Sequence, residues 1–332
     1  MPKGFLRVKG TLDLTQFWPN GESDADTAKV SVDSIEFSPD PAAHIPFKKT
    51  TIFNKALVKG GPGKPNPAIK AGRITVRFQG IDATELHFSA TLPKKGLKNN
   101  GTRYRQFFGE TAAVKLHDFL FGLQKKNTLA CEVVSFVDHP NDLFDMYGRA
   151  IGDVIVTASG NEVNANHWLV ENGWALPTFY NSMSVKEITT LSDLADKARK
   201  AKAGLWGLYS NDVAKPDTSL LYEKNGTFSA KKDAGPAVMP KLFRRQIRYS
   251  VSALNNLFKG KFRDYLLQQK DGFVKTVAFL KDTTLKPSKT TGNLGVLVST
   301  QGKFGVLPGD IVFFESASTL LSANGKKITS WF

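Results

Sequence analysis

Five runs of β-branched and aromatic residues, at 5–14, 29–37, 73–78, 127–137 and 150–156, are each bounded by Gly, Asp, Asn or Pro. Runs of this length and punctuation read as strands, and five such strands suit a small barrel. Three helical patterns are interleaved with them or follow them. Between 109 and 123, Ala112, Ala113, Leu116, Phe119, Leu120 and Leu123 recur at spacings of three and four, which makes one apolar face. Residues 164–172 read as a short second helix closed by Gly173. Ser184-Val-Lys-Glu187 is a capping-box sequence, and it opens a third helix through Leu191, Leu194, Ala195 and Ala198 to a stop at Gly204.

Two stretches break this pattern. From 38 to 72 the chain turns to Pro, Gly, Lys and Ala, and the run at 59–67 has a composition unsuited to a strand or helix, so an inserted loop is expected there. Residues 208–240 are polar and read as a linker. Beyond them, Phe243, Ile247, Val251, Leu254, Phe258, Phe262 and Tyr265 recur every three or four residues, as one amphipathic helix would require. Strand-like runs follow at 273–280, 294–299 and 311–315. The expected class is therefore α+β: a five-stranded barrel with three helices over residues 1–207, and a smaller C-terminal α+β unit at 241–332.

Charge narrows the partner. The formal net charge is +15, an excess that favours polyanions through counterion release and long-range steering. Residues 212–332 hold 19 Lys and Arg against 9 Asp and Glu, so the tail carries ten of those charges. Arg244, Arg245, Arg248, Lys259, Lys261 and Arg263 accompany the apolar stripe there, as a face lying along phosphates or as an ordinary solvated face. DNA or RNA is the leading partner. No apolar run approaches the roughly 20 residues of a spanning helix. The first ten residues mix charges into their few apolar side chains and lack a secretory h-region, so cytoplasmic residence is the expectation. The single cysteine, Cys131, forbids an intrachain disulfide and reads as a small strand hydrophobe. None of the five histidines has zinc-ligand spacing, and His117-Asp118 stands alone on a helix.

Hydrolysis of a phosphodiester needs an activated water, positive charge for the equatorial oxygens, and commonly a hard cation on carboxylates. Arg77, Asp82, Glu85 and Arg149 supply those residue types. On an unbroken strand, Arg77 and Asp82 would point to opposite faces, so a bend at Gly80 is required. Alone, the group also reads as a structural ion pair.

The order of motifs adds to this. Arg77-x4-Asp82-x2-Glu85 is followed by Phe108-Gly-Glu-Thr-Ala-Ala113, Asp145-Met-Tyr-Gly-Arg149, Leu169-Val-Glu-Asn-Gly-Trp-Ala175 and Ala198-Arg-Lys-Ala-Lys-Ala-Gly-Leu-Trp206. Over about residues 5–207 the series resembles the staphylococcal (micrococcal) nuclease family. The resemblance implies an OB-fold five-stranded β-barrel with three helices, and a calcium-dependent, sugar-nonspecific endonuclease that cuts DNA and RNA to 3′-phosphate ends. It implies calcium held by Asp26, Asp82 and the carbonyl of Ala83, with Asp33 as the fallback for the first aspartate. Glu85 would act on the attacking water, and Arg77 and Arg149 would clamp the phosphate. Tyr147 and Tyr180 match the family's substrate-packing aromatics loosely. Asp82-Ala-Thr-Glu85 departs from the common Asp-Thr-Pro-Glu, and Ala25 stands where the family's first aspartate turn has Gly. The alternative is a nuclease-fold module that binds nucleic acid or a protein without catalysis. The insertion reads either as a segment that gates the groove or as a tolerated surface loop.

Overall fold

The computed structural model describes residues 4–40, 45–60, 64–93, 96–158, 160–214, 218–224, 226–269, 271–287, 292–314 and 318–332. Five strands form its centre: β1 (Gly4–Asp13), β2 (Thr27–Ser38), β3 (Arg73–Phe78), β5 (Thr128–Val137) and β6 (Ala150–Ala158). A short β4 (Ile81–Ala83) lies outside this set and pairs with residues Ala175–Pro177. Hydrogen bonding runs β1–β5–β6–β3–β2 and returns from β2 to β1, so the sheet closes on itself as a ring. All contacts in the ring are antiparallel except β6 with β3. The strands alternate between inside and outside: along β1, every second residue from Gly4 to Leu12 is buried. Asp33, the fallback metal ligand, falls at the register shift where β1 moves from pairing Val32 to pairing Ser34, and it is exposed.

Three helices follow the expected pattern: α1 (Gly109–Gln124), α2 (Ala165–Glu171) and α3 (Val185–Lys200). Ser184 and Glu187 form the capping box, with the Ser184 N–H donating to Glu187 Oε2 at 2.7 Å. Helix α1 has no such local device. Its N-cap, Phe108, sits in the left-handed region with no capping side chain, and the Thr111 N–H at its first turn donates instead to the distant Asp233 carboxylate at 2.7 Å.

The C-terminal third departs from the sequence reading in three ways. The stripe from Phe243 to Tyr265 is not one helix. Helix α4 (Pro240–Leu254) ends before Asn256, which has φ 56°, and a separate short helix, Phe262–Leu267, follows. An asparagine in the left-handed region is a common helix stop. The run at 294–299 is a helical turn over Leu294–Leu297 rather than a strand. Of the run at 273–280 only Phe273–Lys275 is a strand, and Thr276–Phe279 is a short helix; strand Ile311–Phe313 forms, and Glu315 of the last run lies outside the described residues.

These late elements are woven into the ring's surroundings. Ile311–Phe313 pairs with Phe179–Tyr180 in parallel, and Thr319–Leu321 pairs with Leu57–Lys59 of the insertion. The insertion therefore holds strands, at Leu57–Lys59 and Asn66–Pro67, where composition argued against them; its residues 41–44 and 61–63 lie outside the described set. Leu57–Lys59 pairs on one side with Asn66–Pro67 of the same insertion and on the other with Thr319–Leu321, so a Pro- and Gly-rich segment is held as the centre of a small three-stranded sheet. Trp331 stacks on Phe37 with ring centroids 4.1 Å apart. In the stretch expected as a linker, Val213, Ala237, Val238 and Met239 are buried. Among the described residues, no helix is long and apolar enough to cross a membrane.

Candidate functional site

Gly80 does what the sequence required of it. Its φ of +74° turns the chain between β3 and β4, and a Cβ there would lie 2.4 Å from Leu191 Cδ1, so glycine is needed on both counts. The bend brings Arg77 Nη2 within 2.5 Å of Asp82 Oδ1 and within 3.0 Å of the Ile81 carbonyl. Arg77 Nη1 also pairs with Asp26 Oδ1, across the β2–β3 ladder where Thr27 faces Arg77. Asp26 Oδ2 accepts the Ala83 N–H at 2.6 Å. Asp26, Arg77, Asp82 and Ala83 thus meet in one cluster, although 51 residues of sequence, insertion included, separate Asp26 from Arg77.

Glu85 is fixed through its backbone. Its N–H donates to Gln106 Oε1 at 3.2 Å, its carbonyl accepts the Gln106 N–H at 2.8 Å, and Gln106 Nε2 donates to the Val238 carbonyl at 2.6 Å. Gly109, at the start of α1, presses on the same carbonyl: an added Cβ would sit 2.5 Å from Glu85 O. The Phe108-Gly109 motif therefore has a packing reason beside the site. Nothing in the sequence signals Gln106, and Asp24 is marked there only as part of the Asp24-Ala-Asp26-Thr27 turn. Asp24 Oδ1 accepts the Leu86 N–H at 3.2 Å.

Arg149 enters from the turn before β6. Asp145 holds it, with Oδ2 accepting from its Nε at 2.7 Å and Oδ1 accepting its backbone N–H at 2.9 Å. A chain of contacts links it to the cluster: Arg149 Nη1 donates to Thr27 Oγ1 at 3.3 Å, and Thr27 Oγ1 donates to Asp26 Oδ1 at 3.2 Å. The turn is buttressed from behind. The Asp145 carbonyl accepts from Ser318 Oγ at 2.5 Å, and Gly60 of the insertion lies so close to Met146 that a Cβ would fall 1.7 Å from its carbonyl oxygen. Tyr147 is exposed, with the Arg149 guanidinium 5.5 Å from its ring centre. Tyr180 is half-buried and stands 6.0 Å from the Phe313 ring.

The unexpected member is Arg244 of α4. Its Nη2 lies 2.9 Å from Asp82 Oδ2, its Nη1 lies 3.1 Å from Asp82 Oδ1, and Nη1 also pairs with Glu85 Oε1. Sequence reading placed it in a basic helix face without singling it out. The bidentate fork suits a carboxylate as a lysine would not.

Burial acts on all of these groups, and the neighbours decide its sign. Burial would raise the Asp82 carboxyl, but the Arg244 and Arg77 guanidiniums outweigh it and hold Asp82 below its ordinary value. Glu85 is pushed up by burial, which its single contact with Arg244 does not fully oppose. Burial, with Glu85 and Asp26 nearby, pushes Asp24 well above the carboxylate range. Arg77 and Arg244 stay charged, because the aspartates offset the cost of burying them.

The resemblance implies a calcium ion on Asp26 and Asp82. Their hard oxygens suit such an ion chemically, but their arrangement does not. Each of the four carboxylate oxygens already accepts from a guanidinium or an N–H. A divalent ion about 4 Å from one guanidinium would be repelled by roughly 8 kcal/mol at an effective dielectric constant near 20. Among the described residues, no group of three or more His, Cys, Asp and Glu is placed to hold a metal.

A closed ring of five strands in an α+β chain, with arginines and carboxylates gathered at its side, defines the class of protein. The family follows from comparison. Residues 75–207 match the family model described as Staphylococcal nuclease homologue, so this stretch carries a domain of that family, which implies an OB-fold and suggests nuclease ancestry. No curated protein matches the chain. The matched stretch contains Arg77, Asp82, Glu85 and Arg149, and leaves out Asp26 and Arg244.

Proposed function

We propose that the chain is a nuclease, hydrolysing phosphodiester bonds of DNA and RNA without regard to the sugar, with the five-stranded ring serving as an OB-type barrel. The observation that carries this reading is the setting of Glu85. It is a backbone-clamped carboxylate, raised by burial and paired with the Arg244 guanidinium, while the Arg149 and Arg244 side chains keep 29% and 25% of their exposure. A raised carboxyl is a better match for accepting a proton from water near neutral pH. In this reading Glu85 takes that proton, while Arg149 and Arg77 bind the equatorial phosphate oxygens as charge develops on them. Exposed Tyr147 lies where a nucleotide would pass Arg149. Asp26 and Asp82 hold Arg77 in place, and no step is routed through a metal. The net charge of +15 would bring polyanions to the surface.

A second reading is a binding module without catalysis. Arg244 favours it, since a carboxylate tied to a guanidinium is a weaker base than a free one.

The test is digestion of single-stranded DNA, duplex DNA and RNA, with added calcium and with chelator, by the wild-type chain and by Glu85→Gln. Cleavage by the wild type that falls at least a hundredfold in Glu85→Gln is the expected result. Retained binding with no cleavage under any condition would favour the module, and cleavage undiminished in Glu85→Gln would remove Glu85 from the mechanism.

A further inference from the structure

Arg244 is not a loose surface arginine that happens to have found two acids. Its helix buries Leu242, Phe243, Gln246, Ile247 and Val251, and packs against β4, the strand that bears Asp82. The neighbouring residues pin the helix on both sides. Arg245 is bidentate to Asp271 at 2.6 and 2.7 Å, and Gln246 Nε2 donates to the Val213 carbonyl at 3.2 Å. The guanidinium is therefore delivered by a core element and does not sit on a flap. At its far end it meets Asp82, which is fully buried and also holds Arg77, and Glu85, whose other charged neighbours are the carboxylates of Asp82 and Asp26.

We infer that Arg244 is the resident cation of this site: the C-terminal helix supplies, within the same chain, the positive charge that the family resemblance assigns to a calcium ion. While Arg244 is in place, Asp82 and Glu85 have no oxygen pair to offer a divalent ion. Arg244 and a bound ion exclude each other. What cation the carboxylates hold is separate from whether the site cleaves anything, and the two can fail independently.

The experiment titrates the full-length chain with calcium by calorimetry, and with terbium by sensitised luminescence, for the wild type, Arg244→Ala and Arg244→Gln. The wild type is expected to take up no stoichiometric ion in the millimolar range. Each variant is expected to gain one ion per chain with affinity at least tenfold tighter, to lose it again when Asp82→Asn is added, and to melt at a higher temperature in calcium. If neither variant folds without calcium, calcium during refolding should restore the wild-type circular dichroism. One ion bound per wild-type chain, no gain of binding in either folded variant, or no rescue of unfolded variants by calcium would each overturn the assignment.

Discussion

Replacing Asp233 by alanine should cost about 3 kcal/mol of stability. Asp233 is fully buried. Its Oδ2 accepts the Thr111 N–H and the Thr111 hydroxyl, each at 2.7 Å, and its Oδ1 lies 2.5 Å from Arg105 Nη1. It thus caps α1 from a segment 122 residues away, at a helix whose own N-cap has no side chain to offer. Losing a cap costs about 1 kcal/mol, and breaking one partner out of a buried ion pair costs about 3–5 kcal/mol. Two things reduce the second figure. Arg105 keeps Glu110 at 2.7 Å, and burial raises the Asp233 carboxyl, so removing it relieves a desolvation cost. About 3 kcal/mol in sum is what remains, against a typical total of roughly 5–15 kcal/mol. Asp233→Asn keeps an acceptor for Thr111 and should cost about 1–2 kcal/mol. Urea unfolding followed by tryptophan fluorescence measures both. A loss below about 0.5 kcal/mol for Asp233→Ala, or equal losses for Ala and Asn, would refute the view that this carboxylate ties the 208–240 stretch to α1.

Two further outcomes are expected. Burial pushes Asp153 up to about 7 despite its hydrogen bond from Asn164, whereas the unfolded value is 3.8; between those values the folded state holds a proton that the unfolded state has released, so this group's contribution to stability falls as pH rises, by about 1.4 kcal/mol per pH unit. The stability difference between wild type and Asp153→Asn, measured by urea unfolding from pH 5 to pH 8, should change with that sign, and a difference independent of pH would show that the carboxyl titrates normally. Gly60→Ala would place a Cβ 1.7 Å from the Met146 carbonyl and displace the turn that carries Arg149; affinity for single-stranded DNA at fixed salt should fall severalfold while the melting temperature changes little, and unchanged affinity would separate the insertion from Arg149.

The strands of the ring were legible because each is a run of β-branched and aromatic residues closed by Gly, Asp, Asn or Pro, a composition that favours extended chain and stops it. The bend at Gly80 was legible for a geometric reason, since Arg77 and Asp82 could meet only if the strand broke between them. Asp26 could be found by its Asp-Ala-Asp-Thr turn despite the insertion, because Thr27 and Arg77 are ladder neighbours whatever lies between. Arg244 was not legible. It borders the apolar stripe beside Phe243 and Ile247, as Arg248 also does, and an arginine at the edge of a stripe is ordinarily solvated. Only the docking of α4 against β4 distinguishes it, and docking is set by tertiary packing that no local pattern encodes. The helix boundary is a different kind of miss. Asn255-Asn256 is a readable stop, and the spacing hid it because Phe262 and Tyr265 belong to a second helix that packs on the same core, with Phe258 in the connection between the two.

The two residues that lie outside the family match, Asp26 before it and Arg244 after it, are also the two that complete Asp82 and Arg77. Arg77 faces Asp26 on one side and Asp82 on the other; Asp82 faces Arg77 and Arg244. Remove either outer residue and a fully or nearly buried charge in the matched stretch is left short of its partner. The cluster is therefore a property of the whole described chain. The order of charges, acid, arginine, acid, arginine, runs from the start of β2 through β3 and β4 to α4, so each element is held in register by the next. A pattern confined to residues 75–207 records the middle two charges and cannot record what balances them. For that reason the match covers the middle of the cluster, while Asp26 and Arg244 have to be read from the packing of the elements on either side of it.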